Sequence, residues 1–335
     1  MALAVGVLSI KYRHKTLLMY GLIAYVIAAL SCTFAPTLPI MMMAFSLIGL
    51  ASGIVTPIIS TLIGDHFSVD ERSSAIGSVN GFRAFTYLIS APIIGYIAGV
   101  YGWRMSFLFF LCPISIMSFL VAANGIPSVD FDVYEKGQYM EGFKTIFSNR
   151  SAVSCLLGSI FAQSAWVGIL TYSASFFRQR FMIGVNWASL LLSAVAGCFM
   201  VSTYSSGLLV NRFGRKRMTT AGVMLFSVLS IVYMAMMNVW MALVIVLSIT
   251  AFSAMRFTSS ISLTLEQAPA YRGTMMSLNT AALSLGRVIG SAVGGFSLLY
   301  FGWESVGYSM GVLGFVASIL YAFLTIDPIK KQNEP

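Results

Sequence analysis

Charge is absent from long stretches of this chain, and the places where it returns divide the chain into segments. Thr16–Gly64 carries no Asp, Glu, Lys or Arg and is too long for one membrane crossing. It is broken at Phe34-Ala35-Pro36-Thr37-Leu38-Pro39, where proline cannot continue a helix. The pattern therefore predicts two helices, about 16–34 and 39–63. Ser73–Tyr101, interrupted by Arg83, and Met105–Ile126 follow. After a polar stretch ending at Arg150 come Ser151–Phe177 and Phe181–Asn211. Met218–Leu265 has room for two helices with a turn near Met237-Asn238, and Thr274–Phe301 and Ser305–Ile326 complete the series. A crossing takes about 20 apolar residues, so the pattern predicts ten full spans. The opening run Met1–Ile10 is too short to be another.

Composition turns these segments into a class. Of 335 residues, 58% are hydrophobic and 9% charged, where a soluble domain carries about 25% charged residues. An all-α, polytopic membrane protein is expected. The net charge of +9 is not a nucleic-acid footprint, because the basic residues sit in short loops between apolar runs. Lys11, Arg13, Lys15, Arg72, Lys136, Lys144, Arg150, Arg212, Arg215, Lys216, Arg217, Arg272, Lys330 and Lys331 fall on one side, against Arg104, Arg178 and Arg180 on the other. By the positive-inside rule the first side, with the C-terminus, is cytoplasmic. Cys32, Cys112, Cys155 and Cys198 lie in apolar stretches without C-x-x-C spacing and read as small buried hydrophobes.

The segment 127–150 is the one linker. It opens acidic and then places Tyr139, Met140, Phe143, Ile146 and Phe147 at helical spacing, the pattern of an amphipathic helix on the cytoplasmic membrane face. The two sides of this linker repeat one another. Gly6-Val7-Leu8 with Lys11 and Lys15 matches Gly207-Leu208-Leu209 with Arg212 and Lys216. Arg72 matches Arg272, Gly95 matches Gly295, and Gly102-Trp103 matches Gly302-Trp303, all at an offset of 200 or 201 residues. Such ordered matches mark a structural repeat. The expected organisation is a helix bundle over 1–126, the linker over 127–150 and a second bundle over 151–335. If both copies are equal, about 50 residues precede this chain's first position in the full repeat, one span and half of the next.

With these residues in place, the chain resembles the major facilitator superfamily along its whole length. The family's signature is G-x-L-x-D-R-x-G-R-K. The second copy reads Gly207-Leu208-Leu209-Val210-Asn211-Arg212-Phe213-Gly214-Arg215-Lys216-Arg217, with Asn for Asp. The first, Gly6 to Lys15, has Ile10 for the Asp and Arg13 for the second Gly. The resemblance implies two six-helix bundles, the first truncated here, and a loop that helps lock one closed state. Ala91-Pro92-Ile93-Ile94-Gly95 and the run Gly286 to Gly295, with Gly290 between, resemble the glycine/proline motif of the drug and metabolite antiporter branch. Small residues four apart allow close helix approach. Phe45, four residues before Gly49, stands where that branch has an Arg.

Charges inside the spans are the candidate site, because each is costly at the bilayer centre. Arg256 lies ten residues before Glu266 and Arg287 sixteen before Trp303, and both are expected well inside their helices. Arg83, nineteen residues before Gly102, is expected nearer the cytoplasmic interface. The resemblance places the helices of all three around a central cavity, where arginines would favour a carboxylate or phosphate. Asn80 and Asn279 are expected to contact substrate or bridge helices. All eleven acids lie in loops or at helix ends. Asp65 and Glu266 are the candidates for coupling, set against simple pairing with Arg72 and Arg272.

No in-membrane His, Asp or Glu cluster and no P-loop is present, so neither an enzyme nor an ATP-driven pump is expected, and no cofactor. The resemblance implies a secondary transporter in the cell membrane, working by alternating access as a monomer, with a small-molecule substrate and protons as partners. Proton-coupled efflux of an organic solute is the first expectation. Uptake of an organic anion is the alternative the arginines favour, and a truncated chain that does not transport is another.

Overall fold

The computed structural model describes residues 14–66, 69–126 and 137–327, and the opening ten-residue run and most of the first signature copy lie outside them. Among the described residues every regular element is helical, as a bilayer demands of a chain whose backbone groups must be satisfied within each segment. The chain divides into two compact units, Met1–Glu135 and Lys136–Pro335.

In the first unit α1 spans His14–Phe34, α2 Leu38–His66, α3 Val69–Tyr101 and α4 Phe107–Gly125. The break before α2 falls at Ala35–Thr37, and Pro39 sits in the first turn of α2, where no amide donor is needed. The start of α4, Phe107–Leu111, is π-helical. It lies just ahead of Pro113, which cannot donate to the ladder and crowds the carbonyl four residues back. Leu17, Leu18 and Leu22 of α1, Ile58 of α2 and Ala122 of α4 form the core. Lys15 Nζ donates to the carbonyls of Ala123 (2.8 Å) and Ile126 (2.6 Å), neutralising the C-terminal end of α4. At the other end Arg104 Nη2 donates to the Ala35 carbonyl at 3.1 Å and stacks on Trp103. These two basic residues tie α1 to α4 at both ends.

In the second unit α5 spans Gly137–Ser148, α6 Arg150–Arg180, α7 Val185–Phe213, α8 Arg215–Tyr233, α9 Val239–Leu265 and α10 Arg272–Phe301. The last helix, α11, spans Trp303–Leu324 and finishes in a π-helical turn, Leu320–Leu324. Two starts are fixed by side chains. Asn149 Oδ1 accepts from the amides of Ser151 and Ala152, and Asn238 Oδ1 from those of Trp240 and Met241, satisfying amides that a helix leaves open. Helix α6 is the most enclosed, packing against α10 and α11. At its far end Phe176 meets Phe181, Tyr233 and Trp303 with ring centroids 5.3–5.5 Å apart.

The repeat has a backbone counterpart. Gly102 and Gly302 stop α3 and α10 with φ of +88° and +82°, a left-handed conformation that a side chain disfavours. Glycine is thus required at the same place in both copies.

Ten long helices stand where ten spans are expected, and eight of them are long and apolar enough to cross a membrane among the described residues. Among the described residues α3 contributes the shorter apolar stretch Leu88–Tyr101, and α8 opens on the three charges Arg215-Lys216-Arg217. Helix α5 belongs with the second unit. Its Ile146 is buried with Ala152, Leu156, Ala268, Met275 and Leu278, and Phe143 packs beside them. The apolar face expected to rest on the membrane is therefore shared, with Ile146 inside the protein and Phe147 exposed.

Candidate functional site

Helix α10 presents three distinct faces. Ser277, Thr280, Ser284, Arg287 and Ser291 recur at spacings of three and four, so they share one face. The first four are exposed and Ser291 is half-exposed. At 1.5 Å per residue the stripe runs about 20 Å along the helix axis. Its hydroxyls turn back onto their own helix. Thr280 donates to the Met276 carbonyl (2.9 Å), Ser284 to Thr280 (3.0 Å) and Ser291 to Arg287 (2.9 Å). Those three hydroxyls are satisfied locally, and Arg287 is the one charge on the stripe. About 100° around the helix, Leu285, Val288, Phe296 and Leu299 are exposed and apolar, a surface suited to lipid. A guanidinium among lipid tails would cost at least about 2.5–3.5 kcal/mol, so the stripe with Arg287 is suited to a wetted path.

The third face is the glycine run, and it packs on α6. A Cβ added at Gly286 would stand 2.6 Å from the Ile160 carbonyl oxygen and 2.9 Å from Gln163 Cβ. One at Gly290 would collide with the backbone of Ser164, 2.8 Å from its Cα and carbonyl carbon. Further along, the ring of Tyr172 lies over Gly294 and Gly295, and its hydroxyl donates to the Ser291 carbonyl at 2.7 Å. Gly290 and Gly295 thus serve close helix contact. In the first unit Pro92 lies inside α3 and Gly95 is buried.

Arg256 and Arg287, treated alike in sequence, stand in opposite surroundings. Arg256 is 1% exposed, inside the second unit, among small residues of α9. Its Nη2 donates to Gln163 Oε1 of α6 at 3.3 Å, and its guanidinium carbon lies 5.8 Å from the Phe257 ring centre. Nε and Nη1 find no hydrogen-bond partner among the described residues. Asn279 also faces inward, 3% exposed, with Oδ1 unpartnered among the described residues. It is not part of the exposed stripe.

At the second signature copy, Gly214 links α7 to α8 with φ of +86°. Arg212 lies over Phe213, and Lys216 is half-buried. Glu266 pairs with Arg215 at 3.7 Å, while the side chain of Arg272, its expected partner, lies outside the described residues. The carboxylate at the end of α9 is thereby joined to the first residue of α8. Thr219 Oγ1 donates to Ser259 Oγ at 2.8 Å between the same helices. Asp65 of α2, Asn80 and Arg83 of α3, and Gly207 and Asn211 of α7 lie on described helices, but their side-chain surroundings lie outside the described residues.

Three residues were not singled out in sequence: Gln163, Tyr172 and Tyr321. Gln163 was findable, being an amide in the otherwise uncharged run Ser151–Phe177. Tyr321, whose hydroxyl meets Ser159 Oγ at 3.1 Å, had no such signal. Tyrosines are ordinary in membrane proteins.

The family model described as Major Facilitator Superfamily matches residues 1–205 and 181–335. The uncharacterized MFS-type transporter YceJ of Bacillus subtilis (strain 168) is 21% identical over 332 residues, 97% of this chain and 82% of its own length. Multidrug resistance protein 2 of the same organism is 22% identical over 295 residues, covering 85% and 73%. Among solved structures, a D-xylose-proton symporter superposes with a TM-score of 0.82 at 16% identity, covering 97% of this chain and 84% of the symporter. At that identity the likeness is one of fold.

Proposed function

The chain belongs to the Major Facilitator Superfamily, a family of membrane transporters and not of enzymes, and on that premise we propose that it carries a small organic anion across the cell membrane by alternating access. The observation that carries the reading is Arg287, a fixed positive charge held in mid-helix on an exposed stripe of hydroxyls. Its planar fork suits a carboxylate or phosphate. Arg83 and Asn80 are proposed to bind substrate, and Asp65 and Glu266 to respond to protons. The Arg215–Glu266 pair supports a gating role for the loop of Gly207, Asn211, Arg212, Gly214, Arg215 and Lys216. A monomer with a cytoplasmic C-terminus completes the proposal.

Export in exchange for protons is the second reading. What favours it is the likeness to Multidrug resistance protein 2 and the glycine run of α10.

Thermal unfolding of the purified chain in detergent tests the first reading. Benzoate, as a simple monocarboxylate probe, is expected to raise the midpoint of the wild type. Arg287→Gln should remove that response and Arg287→Lys should keep part of it. If tetraphenylphosphonium, a lipophilic cation, stabilises wild type and Arg287→Gln equally while benzoate does nothing, the anion reading fails and export of cationic solutes replaces it.

A further inference from the structure

Arg256 poses a problem of charge balance. A guanidinium stays charged, and a charge sealed inside a protein without a counter-charge costs several kcal/mol. Arg256 is 1% exposed, and no carboxylate pairs with it among the described residues. It has one side-chain hydrogen bond, at 3.3 Å, to the neutral amide oxygen of Gln163. The Phe257 ring at 5.8 Å adds a weak cation–π contact. Nε and Nη1 remain unpartnered among the described residues, and so does Ser253 Oγ, one turn earlier on the same face of α9. Each of these groups can donate a hydrogen bond. A cluster of unused donors around a buried cation is the chemistry of an anion site.

We propose that Arg256 and Ser253 form an internal anion-binding site of the second unit, taking a halide-sized inorganic anion or the carboxylate head of a small solute. It is separate from the exposed Arg287 stripe and does not depend on the reading given to that stripe. In the described packing the Gln163 amide oxygen is the neutral acceptor that an anion would replace at Arg256. Entry has a structural route, because Gln163 rests on the glycine seam. Its Cβ lies where any side chain at Gly286 would collide with it. Separating α10 from α6 at that seam frees the Gln163 side chain, opens Arg256 to the anion and moves Arg287, the neighbour of Gly286. Anion binding at Arg256 therefore favours the separated seam, and the empty site favours the closed one.

The experiment is thermal unfolding of the full chain in lipid nanodiscs, with sodium chloride exchanged for sodium isethionate, a bulky sulfonate, at constant ionic strength. Parallel titrations use benzoate. Chloride at ten times its midpoint is expected to raise the wild-type melting temperature by about 2 °C or more. Arg256→Gln should abolish the rise and Arg287→Gln should leave it intact. Gln163→Leu, which removes the competing amide, should lower the chloride midpoint. Ser253→Ala should raise it about tenfold to a hundredfold, the loss of one hydrogen bond to a charged partner. A response to chloride identifies a free inorganic anion as the ligand. A response to benzoate alone, lost in Arg256→Gln, identifies a solute carboxylate.

The proposal is overturned if neither probe shifts the wild type, or if Arg256→Gln keeps the chloride shift. A chloride shift lost in Arg287→Gln and kept in Arg256→Gln would place the inorganic anion on the exposed stripe and end this proposal, whereas a benzoate shift lost only in Arg287→Gln supports the transport reading and leaves the chloride result to decide this site. Should Arg256→Gln fail to fold, the other two variants decide. Wild-type midpoints in both Gln163→Leu and Ser253→Ala would overturn the site.

Discussion

Replacing Gly290 with Ala adds one methyl group at the tightest point of the α6–α10 seam. That methyl would lie 2.8 Å from both the Cα and the carbonyl carbon of Ser164, and closer still to its carbonyl oxygen. Carbon atoms pack comfortably at about 3.5–4.0 Å, so the helices must part by about 1 Å. No flexible side chain is available to yield, because the obstructing atoms are backbone. Inserting a methylene-sized group into a packed interior costs about 1–3 kcal/mol. Alanine returns about 1 kcal/mol through its helix propensity, leaving a net loss of about 1–2 kcal/mol if the cost lies in the upper part of that range.

Gly49→Ala is the matched control, in the interior of α2 with no atom within 4 Å of the new methyl. It is expected to stabilise by up to about 1 kcal/mol. Unfolding followed by tryptophan fluorescence reads both, since Trp166 lies on α6 and Trp103 lies in the first unit. Equal and positive shifts for the two variants would refute the seam as a close backbone contact. A loss for Gly290→Ala alone would support it.

Three further outcomes are expected. Tyr172→Phe removes the hydroxyl that donates to the Ser291 carbonyl at 2.7 Å, and should lower stability by about 1 kcal/mol; an unchanged midpoint would mean that the bond is replaced by water. Asn238→Ala deletes the cap of α9, satisfied here through Trp240 and Met241. It should cost about 1 kcal/mol in equilibrium unfolding, while Asn238→Ser should recover most of it. Glu266→Gln weakens the Arg215 pair, whose side chains are 32% and 21% exposed. The cost should be below about 1 kcal/mol and should shrink in high salt, and a larger, salt-independent loss would contradict the solvent-screened pairing.

Much of the fold is legible along one dimension. Bilayer length and the absence of charge located the helices, and breaks at Pro36 and Asn238 fall where chain chemistry places them. The repeat was visible because Gly102 and Gly302 occupy turns that only glycine adopts easily, with φ near +85° in both copies. The family signature at Gly214-Arg215-Lys216 was legible for the same reason, a conformational requirement joined to fixed charges.

The site was less legible, because in a membrane protein lipid-facing and core-facing positions are both apolar, and hydropathy does not distinguish them. Arg256 and Arg287 carry the same side chain at similar depth along their helices. Their surroundings are set by neighbours distant in sequence. Arg256 meets Gln163 of α6 and is sealed, while Arg287 stands one residue past Gly286 and turns outward. Likewise Glu266 reaches Arg215, fifty-one residues earlier, because α8 and α9 pack side by side. Sequence by itself determined where the chain crosses, where it turns and which charges lie inside. Only the tertiary structure decided which charge is buried and which is presented, because burial depends on the small residues that the packed helices supply at each point of contact.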